Sequence, residues 1–370
     1  MDQNWYELQK PEETDSPALL IYKERAIGNI EKAIKEVGGP QFLRPHVKTN
    51  KSIEACRLMM DAGIEKFKCA TIAEAEMLVM AGARDILFAY QPVGPKVHRF
   101  LRLVTDHNAI QFHCLVDHID AAKKLDEEAG HLGLTVSLYI DLNAGTNRTG
   151  VFPGPPAEKL YDQLSGLENL KITGFHLYDG HLRNPVFEIR KEECDKAFLP
   201  IAAMRDKIEK ENGVELEMIA GGSTTFPIHA QRERVICGPG TFIYWDNGYG
   251  KGLPEQDFSH AALVMTRVIA LPSEDLVCLD LGHKSISSEN PLENRVSFLN
   301  APELIPVSQS EEHLVMKTHM GHEFKIGDVL YGIPYHICPT VALFDRAAVV
   351  ELAQVREEWK IIARDRKITI

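Results

Sequence analysis

The sequence predicts an α/β protein, a (β/α)8 TIM barrel followed by a mostly antiparallel β-domain. Eight short apolar, β-rich runs alternate with stretches of helical period over the first two thirds of the chain. Continuous apolar strands of this kind are typical of a parallel sheet, and eight of them in about 240 residues match a closed barrel in size. After about Asp257 helical periods vanish until the last 25 residues, and short strands replace them. An open doubly wound sheet is the alternative for the first part.

The elements follow from local patterns. The clearest helical stretches, Ser52–Gly63 and Ile72–Gly82, both end in glycine, a usual helix stop. The runs interpreted as barrel strands are Pro17–Tyr22, Leu43–Lys48, Lys66–Ala70, Asp85–Tyr90, Ile110–Val116, Thr135–Leu142, Lys171–Tyr178 and Glu217–Gly222. The later strands are Leu263–Leu271, Leu276–Leu281, Leu314–His319 and Val329–Ile333. We therefore expect a barrel over residues 16–257. A β-domain should comprise residues 258–370 together with the N-terminal residues 1–15.

Composition excludes several classes of protein. The 370 residues carry a formal net charge of −12, which disfavours nucleic acid and an anionic membrane surface as partners. The seven cysteines are scattered without paired spacing, which indicates reduced thiols. No apolar run approaches the ~20 residues of a membrane span, and the N-terminus lacks the apolar run of a signal peptide. We expect a cytoplasmic protein.

Lys48 is the first candidate for chemistry, because catalytic groups of barrels lie at the carboxyl ends of strands. Side chains alternate along a strand, so His46 and Lys48 share one face and Val47 takes the other. A desolvated lysine with a lowered pKa is suited to forming a Schiff base. A solvated lysine that opens the next helix fits the same residues.

The segment Lys171–His181 is the second candidate. By the same alternation, His176 and Tyr178 point one way, with His181 just beyond the strand. Several titratable groups inside a barrel mouth form a pocket-like arrangement. A single histidine of this kind is more often a satisfied core residue.

Two glycine-containing segments and one arginine also follow predicted strands. Gly221-Gly-Ser-Thr224 offers bare backbone amides and hydroxyls, and late loops of barrels commonly hold phosphate in this way. Gly238-Pro-Gly-Thr241 adds a second set of amides. Arg148 follows the strand that ends near Asp141 and could face an anion or a ring nitrogen; a solvated loop arginine is the alternative.

His336 and Cys338 form an H-x-C pair in the second domain. On an extended segment the two side chains share a face, and an imidazole beside a thiolate suits Zn²⁺. Two protein ligands leave coordination positions for water or substrate, which is the open geometry of a catalytic metal. H-x-C pairs also arise often by chance.

Taken together, these segments resemble the D-threonine aldolase and D-serine dehydratase family of fold-type III pyridoxal phosphate enzymes. They occur in the family's order and span roughly residues 17 to 340. The segments that carry the resemblance are Arg44–Asn50, Asp141–Thr149, Gly174–His181, Gly221–Thr224 and Pro334–Cys338.

The resemblance implies an alanine racemase-like barrel in which Lys48 holds pyridoxal phosphate. Arg148 would be the partner of the pyridine nitrogen, and His176 and Tyr178 would lie at the cofactor. The phosphate would be held by Gly222, Ser223 and Thr224, with Gly240 and Thr241 as further candidates. His336 and Cys338 would bind a divalent metal, zinc or manganese. The resemblance also implies a homodimer that acts on a small D-amino acid.

The resemblance favours a metal-dependent lyase that cleaves β-hydroxy D-amino acids to glycine and an aldehyde, as a D-threonine aldolase does. Tyr178-Asp-Gly-His181 is more similar to the aldolases, whereas Cys338 is more similar to the dehydratases, so a D-serine or 3-hydroxyaspartate dehydratase is the alternative. Asn184 stands near the position of a further aldolase histidine, which leaves His181 as the catalytic base. A racemase would leave the H-x-C pair unused, and a non-catalytic cofactor carrier would not need the second domain.

Overall fold

The computed structural model describes residues 4–370, which fold into two compact units. Residues 31–48, 55–240 and 365–370 form the barrel unit. Residues 4–30, 49–54 and 241–364 form the β-unit. Residues 1–3, part of the N-terminal segment predicted to join the β-domain, lie outside the described residues.

The chain begins with β1 (Ala18–Tyr22) and α1 (Lys23–Val37), and then alternates between helix and strand. The strands that follow are β2 (Lys66–Cys69), β3 (Asp85–Phe88), β4 (Gln111–Val116), β5 (Val136–Leu142), β6 (Leu170–Leu177), β7 (Glu217–Ala220) and β8 (Ile236–Cys237). The helices between and after them are α2 (Ile53–Asp61), α3 (Ile72–Ala81), α4 (Pro95–Asp106), α5 (Ile119–His131), α6 (Pro155–Ser165), α7 (Phe187–Asn212), α8 (Phe226–His229) and α9 (Asn247–Gly252). The predicted helices over 52–63 and 72–82 are thereby confirmed as α2 and α3.

The barrel unit contains a parallel sheet of seven strands in the order β2 to β8. Residues 43–47 take the eighth position, because Leu43 forms a parallel bridge with Cys237 in β8 and His46 forms one with Lys68 in β2. The amide of Arg44 donates to the Cys237 carbonyl, and the amide of Val47 donates to the Lys68 carbonyl. The predicted α/β fold class, with a parallel barrel, is confirmed.

One assignment within the barrel was wrong. The run Pro17–Tyr22 forms β1, but β1 pairs with strands of the β-unit. The barrel strand that the sequence reading missed is β8, which has only two residues. A two-residue strand is too short to show periodicity in the sequence, which is why β8 was missed. The predicted number of eight barrel strands was correct, but β1 was counted in place of β8.

The β-unit is built on a nine-stranded sheet that is antiparallel except for the pair β1 and β15. Its strands after β1 are β9 (Ala262–Ser273), β10 (Leu276–Leu279), β11 (Val296–Phe298), β12 (Ile305–Gln309), β13 (Leu314–Lys317), β14 (Val329–Pro334), β15 (Arg346–Glu351) and β16 (Gln354–Lys360). The helix α10 (Ile337–Leu343) follows β14. The last 25 residues contain β15 and β16, so the helical pattern expected there was wrong. The prediction that the second domain is mostly antiparallel β-structure is confirmed.

No helix within residues 4–370 is long and apolar enough to cross a lipid bilayer.

The β-unit has its own apolar cores on its sheet, and one of them includes Tyr6 and Leu8 from the N-terminal segment. The amide of Leu8 donates to the Tyr331 hydroxyl at 3.1 Å.

The barrel interior holds a buried ion pair. The Arg44 side chain is fully buried, and its guanidinium donates to both carboxylate oxygens of Asp85 at 2.6 and 3.1 Å. A bidentate pair of this kind is stronger and more specific in geometry than a single neutral hydrogen bond. Removal of one partner leaves an uncompensated buried charge, which destabilises a fold strongly.

We therefore expect Asp85→Asn to lower the free energy of unfolding by about 3–5 kcal/mol, measured by urea denaturation. Asp106→Asn is the matched control, because Asp106 pairs with Arg102 on the exposed face of α4 and such pairs contribute little. Equal unfolding midpoints for the two variants would contradict the assignment of a structural role to the Arg44–Asp85 pair.

Candidate functional site

Three of the predicted site residues meet at the carboxyl end of the barrel strands. The Lys48 Nζ lies 5.9 Å from the ring centroid of Tyr178, and the Arg148 Cζ lies 4.9 Å from the same centroid. Lys48 and Arg148 are exposed and Tyr178 is half-buried. Lys48 is therefore reachable from solvent, and the desolvation expected for it from the sequence is absent.

Two glycines fix the position of the Tyr178 ring. A Cβ atom at Gly222 would lie 2.6 Å from Cε2 of Tyr178, and one at Gly180 would overlap with the hydroxyl. Real Cβ contacts are not this short, so neither position accepts a side chain without a shift of the ring. The ring thus packs directly on the backbone that begins the Gly221–Thr224 segment.

His176 is held by Asp141 on the neighbouring strand. Its Nδ1 lies 2.7 Å from Asp141 Oδ1, and the carboxylate can only accept, so Nδ1 carries the proton. Burial lowers the pKa of His176, against the opposing effect of Asp141. Its Nε2 is buried and has no hydrogen-bond partner among residues 4–370. A neutral imidazole with one open nitrogen therefore lies inside the barrel.

The segment after β7 fits a phosphate group. Gly221 has φ +80°, a left-handed conformation that favours glycine. Ser223 and Thr224 are buried, and Thr224 Oγ1 has no hydrogen-bond partner within the described part of the chain. A buried hydroxyl without a partner is costly, and a bound phosphate would satisfy it. Thr241, expected at the same group, has its hydroxyl 3.4 Å from Cys338 Sγ in the β-unit.

Below this segment lies a buried polar network. His229 Nε2 lies 2.8 Å from Asp179 Oδ2, and the Thr225 hydroxyl donates to Asp179 Oδ1 at 2.5 Å. Asp179, Cys194 and His229 also lie close enough together to qualify by geometry as a metal site.

The chemistry of this cluster favours a structural role. Nε2 of His229 donates to Asp179, so Nδ1 is the acceptor for the Arg232 guanidinium, which contacts it directly. Burial, followed by the charge of Asp179, raises the pKa of the Cys194 thiol to about 12. A protonated thiol, an imidazole engaged at both nitrogens and an adjacent guanidinium all oppose binding of a cation. We interpret the cluster as the support of the Gly221–Thr225 segment.

His336 and Cys338 meet at the start of a helix in the β-unit. His336 is the N-cap of α10 and Cys338 is its second residue, so the segment is not extended as the sequence reading assumed. The two side chains nevertheless interact. Burial lowers the pKa of His336, but hydrogen bonds with Cys338 and Glu289 outweigh it and raise that pKa to about 9. An imidazole and a thiol in contact are a suitable pair of metal donors.

Residues that the sequence reading missed orient this pair. The His336 Nδ1 lies 2.5 Å from Glu289 Oε1, so Nε2 is the nitrogen that would bind a metal. Asp246 Oδ2 accepts from the amide of Ile337, between the two candidate ligands. Thr49 Oγ1 lies 3.0 Å from Cys338 Sγ. Glu289 and Asp246 lie in loops far from the pair in sequence and gave no signal, whereas Thr49 directly follows Lys48.

His181 and Asn184 have different surroundings. A Cβ atom at Gly145 would lie 2.9 Å from His181 Nε2, so the imidazole lies against the loop that leads to Arg148. His181 is exposed. The Asn184 Oδ1 accepts from the amide of Val186 at the start of α7. Asn184 therefore has a structural task, and His181 is the imidazole available beside the loop.

Comparisons with known proteins extend over most of the chain. The family profile described as "Alanine racemase, N-terminal domain" matches residues 23–247, and the profile "Putative serine dehydratase domain" matches residues 261–350. The D-threonine aldolase of Arthrobacter sp is 27% identical over 330 residues, which cover 87% of this chain and 85% of that protein. The 3-hydroxy-D-aspartate aldolase of Paracoccus denitrificans (strain Pd 1222) is 24% identical over 367 residues, which cover 95% of this chain and 92% of that protein.

The fold has a similar structural relative. The crystal structure of the D-threonine aldolase from Filomicrobium marinum superposes with a TM-score of 0.86 at 25% identity. The match covers 95% of this chain and 95% of that one.

We expect Glu289→Gln to weaken Zn²⁺ binding by about 10- to 100-fold, because loss of a carboxylate that orients a metal-binding histidine has this effect. Affinity would be measured by competition with a zinc-binding dye. Glu293→Gln is the control, since Glu293 is exposed on the next turn of the same loop. Unchanged zinc affinity in Glu289→Gln would show that Glu289 does not act through His336.

Proposed function

Because this chain belongs to the D-threonine aldolase and D-serine dehydratase family of fold-type III pyridoxal phosphate enzymes, we propose that it cleaves β-hydroxy D-amino acids by a retro-aldol reaction. Enzymes of this family are pyridoxal phosphate-dependent lyases that also use a metal. The products from D-threonine would be glycine and acetaldehyde.

The observation that carries the proposal is the meeting of Lys48, Arg148 and Tyr178 beside a loop with an unsatisfied buried hydroxyl. The amine, the guanidinium and the Thr224 hydroxyl provide the three kinds of group that a phosphorylated pyridine aldehyde requires. Both aldolase relatives cover most of the chain, in keeping with this assignment.

Each residue has a definite task in the proposed site. Lys48 would hold the cofactor covalently, Arg148 would face the pyridine nitrogen, and Gly222, Ser223 and Thr224 would hold the phosphate. Gly240 is proposed as a further phosphate contact. His176 would lie at the cofactor with its proton fixed on Nδ1 by Asp141. The cofactor, when bound, stabilises the negative charge that develops on the α-carbon.

Retro-aldol cleavage requires a base for the β-hydroxyl of the substrate. We assign this role to His181, whose Nε2 lies against Gly145. As His181 takes the hydroxyl proton, the bond between the α- and β-carbons breaks, the aldehyde leaves, and a proton returns to the α-carbon to form glycine. His336 and Cys338 would hold the metal, which supplies Lewis-acid chemistry that lowers the pKa of a bound hydroxyl. The thiolate donor favours zinc over manganese.

A dehydratase is the second candidate, and two observations favour it. The proposed ligand at the second position of the pair is a cysteine, Cys338, and residues 261–350 match the serine dehydratase profile. In that reaction Lys48 would remove the α-proton and the β-hydroxyl would leave as hydroxide, so the products are a keto acid and ammonia. A racemase needs two bases and no metal, which leaves the His336–Cys338 pair without a task.

We also propose that the enzyme is a homodimer.

Product analysis with D-threonine tests the reaction directly. The enzyme is purified with added pyridoxal phosphate and assayed with Zn²⁺ or Mn²⁺ in separate reactions. We expect glycine and acetaldehyde in equal amounts. Formation of 2-oxobutanoate and ammonia would establish the dehydratase instead, and inversion of the α-carbon would establish a racemase.

Removal of the metal should abolish cleavage and leave the bound cofactor in place, because the proposed metal ligands and Lys48 are different side chains. After EDTA treatment and dialysis, we expect loss of glycine formation with the visible absorbance of the cofactor retained. Re-addition of Zn²⁺ should restore the rate. Full activity after thorough chelation would contradict a metal-dependent mechanism.

His181→Asn should lower kcat by about 10²- to 10⁴-fold, the usual contribution of a general base, with the cofactor absorbance unchanged. His98→Asn is the control, because His98 is exposed on α4. A normal kcat in the His181 variant would assign the base to another residue.

A further inference from the structure

Lys68 is a second lysine in the barrel interior, and the proposed chemistry gives it no task. Its residue exposure is 2%. In the parallel pair of β2 and β3, Lys68 lies in register with Leu87. Leu87 packs with Leu115, Ile219 and Ile236, which come from three further strands of the ring. Only the inside of the barrel brings such residues together, so the Lys68 side chain points inward.

The end of the Lys68 side chain reaches the last two barrel strands. A Cβ atom at Gly238 would overlap with Lys68 Nζ, so the absence of a side chain at 238 makes room for the amine. The same Cβ position lies 3.3 Å from the carbonyl oxygen of Gly221. Gly221 and Gly238 are the residues that lead into the two segments proposed to hold the phosphate. Lys68 Nζ therefore lies beside the phosphate-binding part of the barrel mouth.

The amine has no hydrogen-bond or ion-pair partner within the part of the chain that the structure describes. A buried ammonium without a partner is costly, so such a group loses its proton or meets an anion. Burial, followed by the charge of Lys48, lowers the pKa of Lys68 to about 7. The other charged groups that act on it are Asp141 and Asp179, which raise this pKa, and Arg44, which lowers it.

We propose that Lys68 is a second cofactor-binding lysine, whose Nζ donates a hydrogen bond to the phosphate of bound pyridoxal phosphate. The inference rests on the proposed function, because it takes the pyridoxal phosphate site as its premise. It extends the set of phosphate contacts from backbone amides and hydroxyls to a titratable cation. Lys48 then serves the aldehyde and Lys68 serves the phosphate.

This assignment links cofactor binding to pH. A dianionic phosphate beside the amine raises its pKa above the value of about 7 that it has without cofactor. Below pH 7 Lys68 is protonated with or without the cofactor, so its contribution is complete. As pH rises above 7, Lys68 must take up a proton when the cofactor binds. The affinity for the cofactor therefore falls by up to tenfold per pH unit, until the pH exceeds the raised pKa that Lys68 has in the complex.

Pyridoxine 5′-phosphate is the probe that isolates this contact. It carries the phosphate and the ring but no aldehyde, so it forms no covalent bond with Lys48. Binding to the full-length enzyme freed of cofactor is measured by equilibrium dialysis between pH 7 and 9, where the phosphate, with its second pKa near 6, is a dianion. Unphosphorylated pyridoxine and inorganic phosphate are measured in parallel to separate ring contacts from phosphate contacts.

We expect Lys68→Met to weaken pyridoxine 5′-phosphate binding at pH 7 by about 10- to 100-fold, the value of a charge-assisted hydrogen bond, and to remove the fall with pH. Lys68→Arg should keep the affinity without the fall, because a guanidinium does not titrate in this range. Lys66→Met is the matched control two residues earlier, where the lysine pairs with Glu217. Inorganic phosphate should show the same dependence on Lys68, and pyridoxine should show none.

The outcomes separate this inference from the proposed function. If the wild-type enzyme binds pyridoxal phosphate and Lys68→Met retains both affinity and pH dependence, the inference fails while the proposed function stands. Equal weakening of pyridoxine binding would assign the contact to the ring and would also overturn the inference. If the wild-type enzyme binds no pyridoxal phosphate, the proposed function and the inference fail together.

Discussion

The backbone hydrogen bonds of residues 43–47 are the constraint on which the barrel site depends. This short segment bonds to β8 on one side and to β2 on the other, and so joins the first and last strands of the parallel sheet. The same pairing fixes the directions of the Arg44 and Lys48 side chains. Arg44 points into the closed interior, where Asp85 neutralises it, and Lys48 emerges at the mouth beside Tyr178. A slip of one residue would exchange these orientations.

Side chains outside the motifs determine what the motif residues can do. Asp141 fixes the proton of His176 on one nitrogen, and Asp179, which follows β6, bonds Thr225 and His229 at the two ends of α8. In the β-unit, Glu289 orients His336. These partners are carboxylates on other strands or loops, as expected where an imidazole must present one chosen nitrogen. The same reasoning separates the two His–Cys clusters, because the guanidinium of Arg232 already contacts His229 beside Cys194.

The sequence predicted a single lysine, Lys48, that is both at the barrel mouth and buried. In the structure these two properties belong to different lysines. Lys48 was expected to be desolvated, yet it is exposed, and Lys68 is the lysine that the barrel buries. Alternation along a strand predicted that Lys48 could face inward. It could not predict burial, because burial depends on how far a residue lies from the mouth and on what the opposite strands provide. The glycine at 238, which accommodates Lys68, comes from the far end of the sheet.

The sequence by itself determined the fold class, the order of most strands, the family and the residues that carry its motifs, because these depend on local periodicity and on fixed spacing. Tertiary structure alone decided that the Pro17–Tyr22 run pairs in the β-unit and that two residues, Ile236 and Cys237, complete the barrel. It also decided the partners of each functional group, such as Glu289 for His336. Pairing partners and charge environments are long-range properties, and no pattern within a short window of sequence records them.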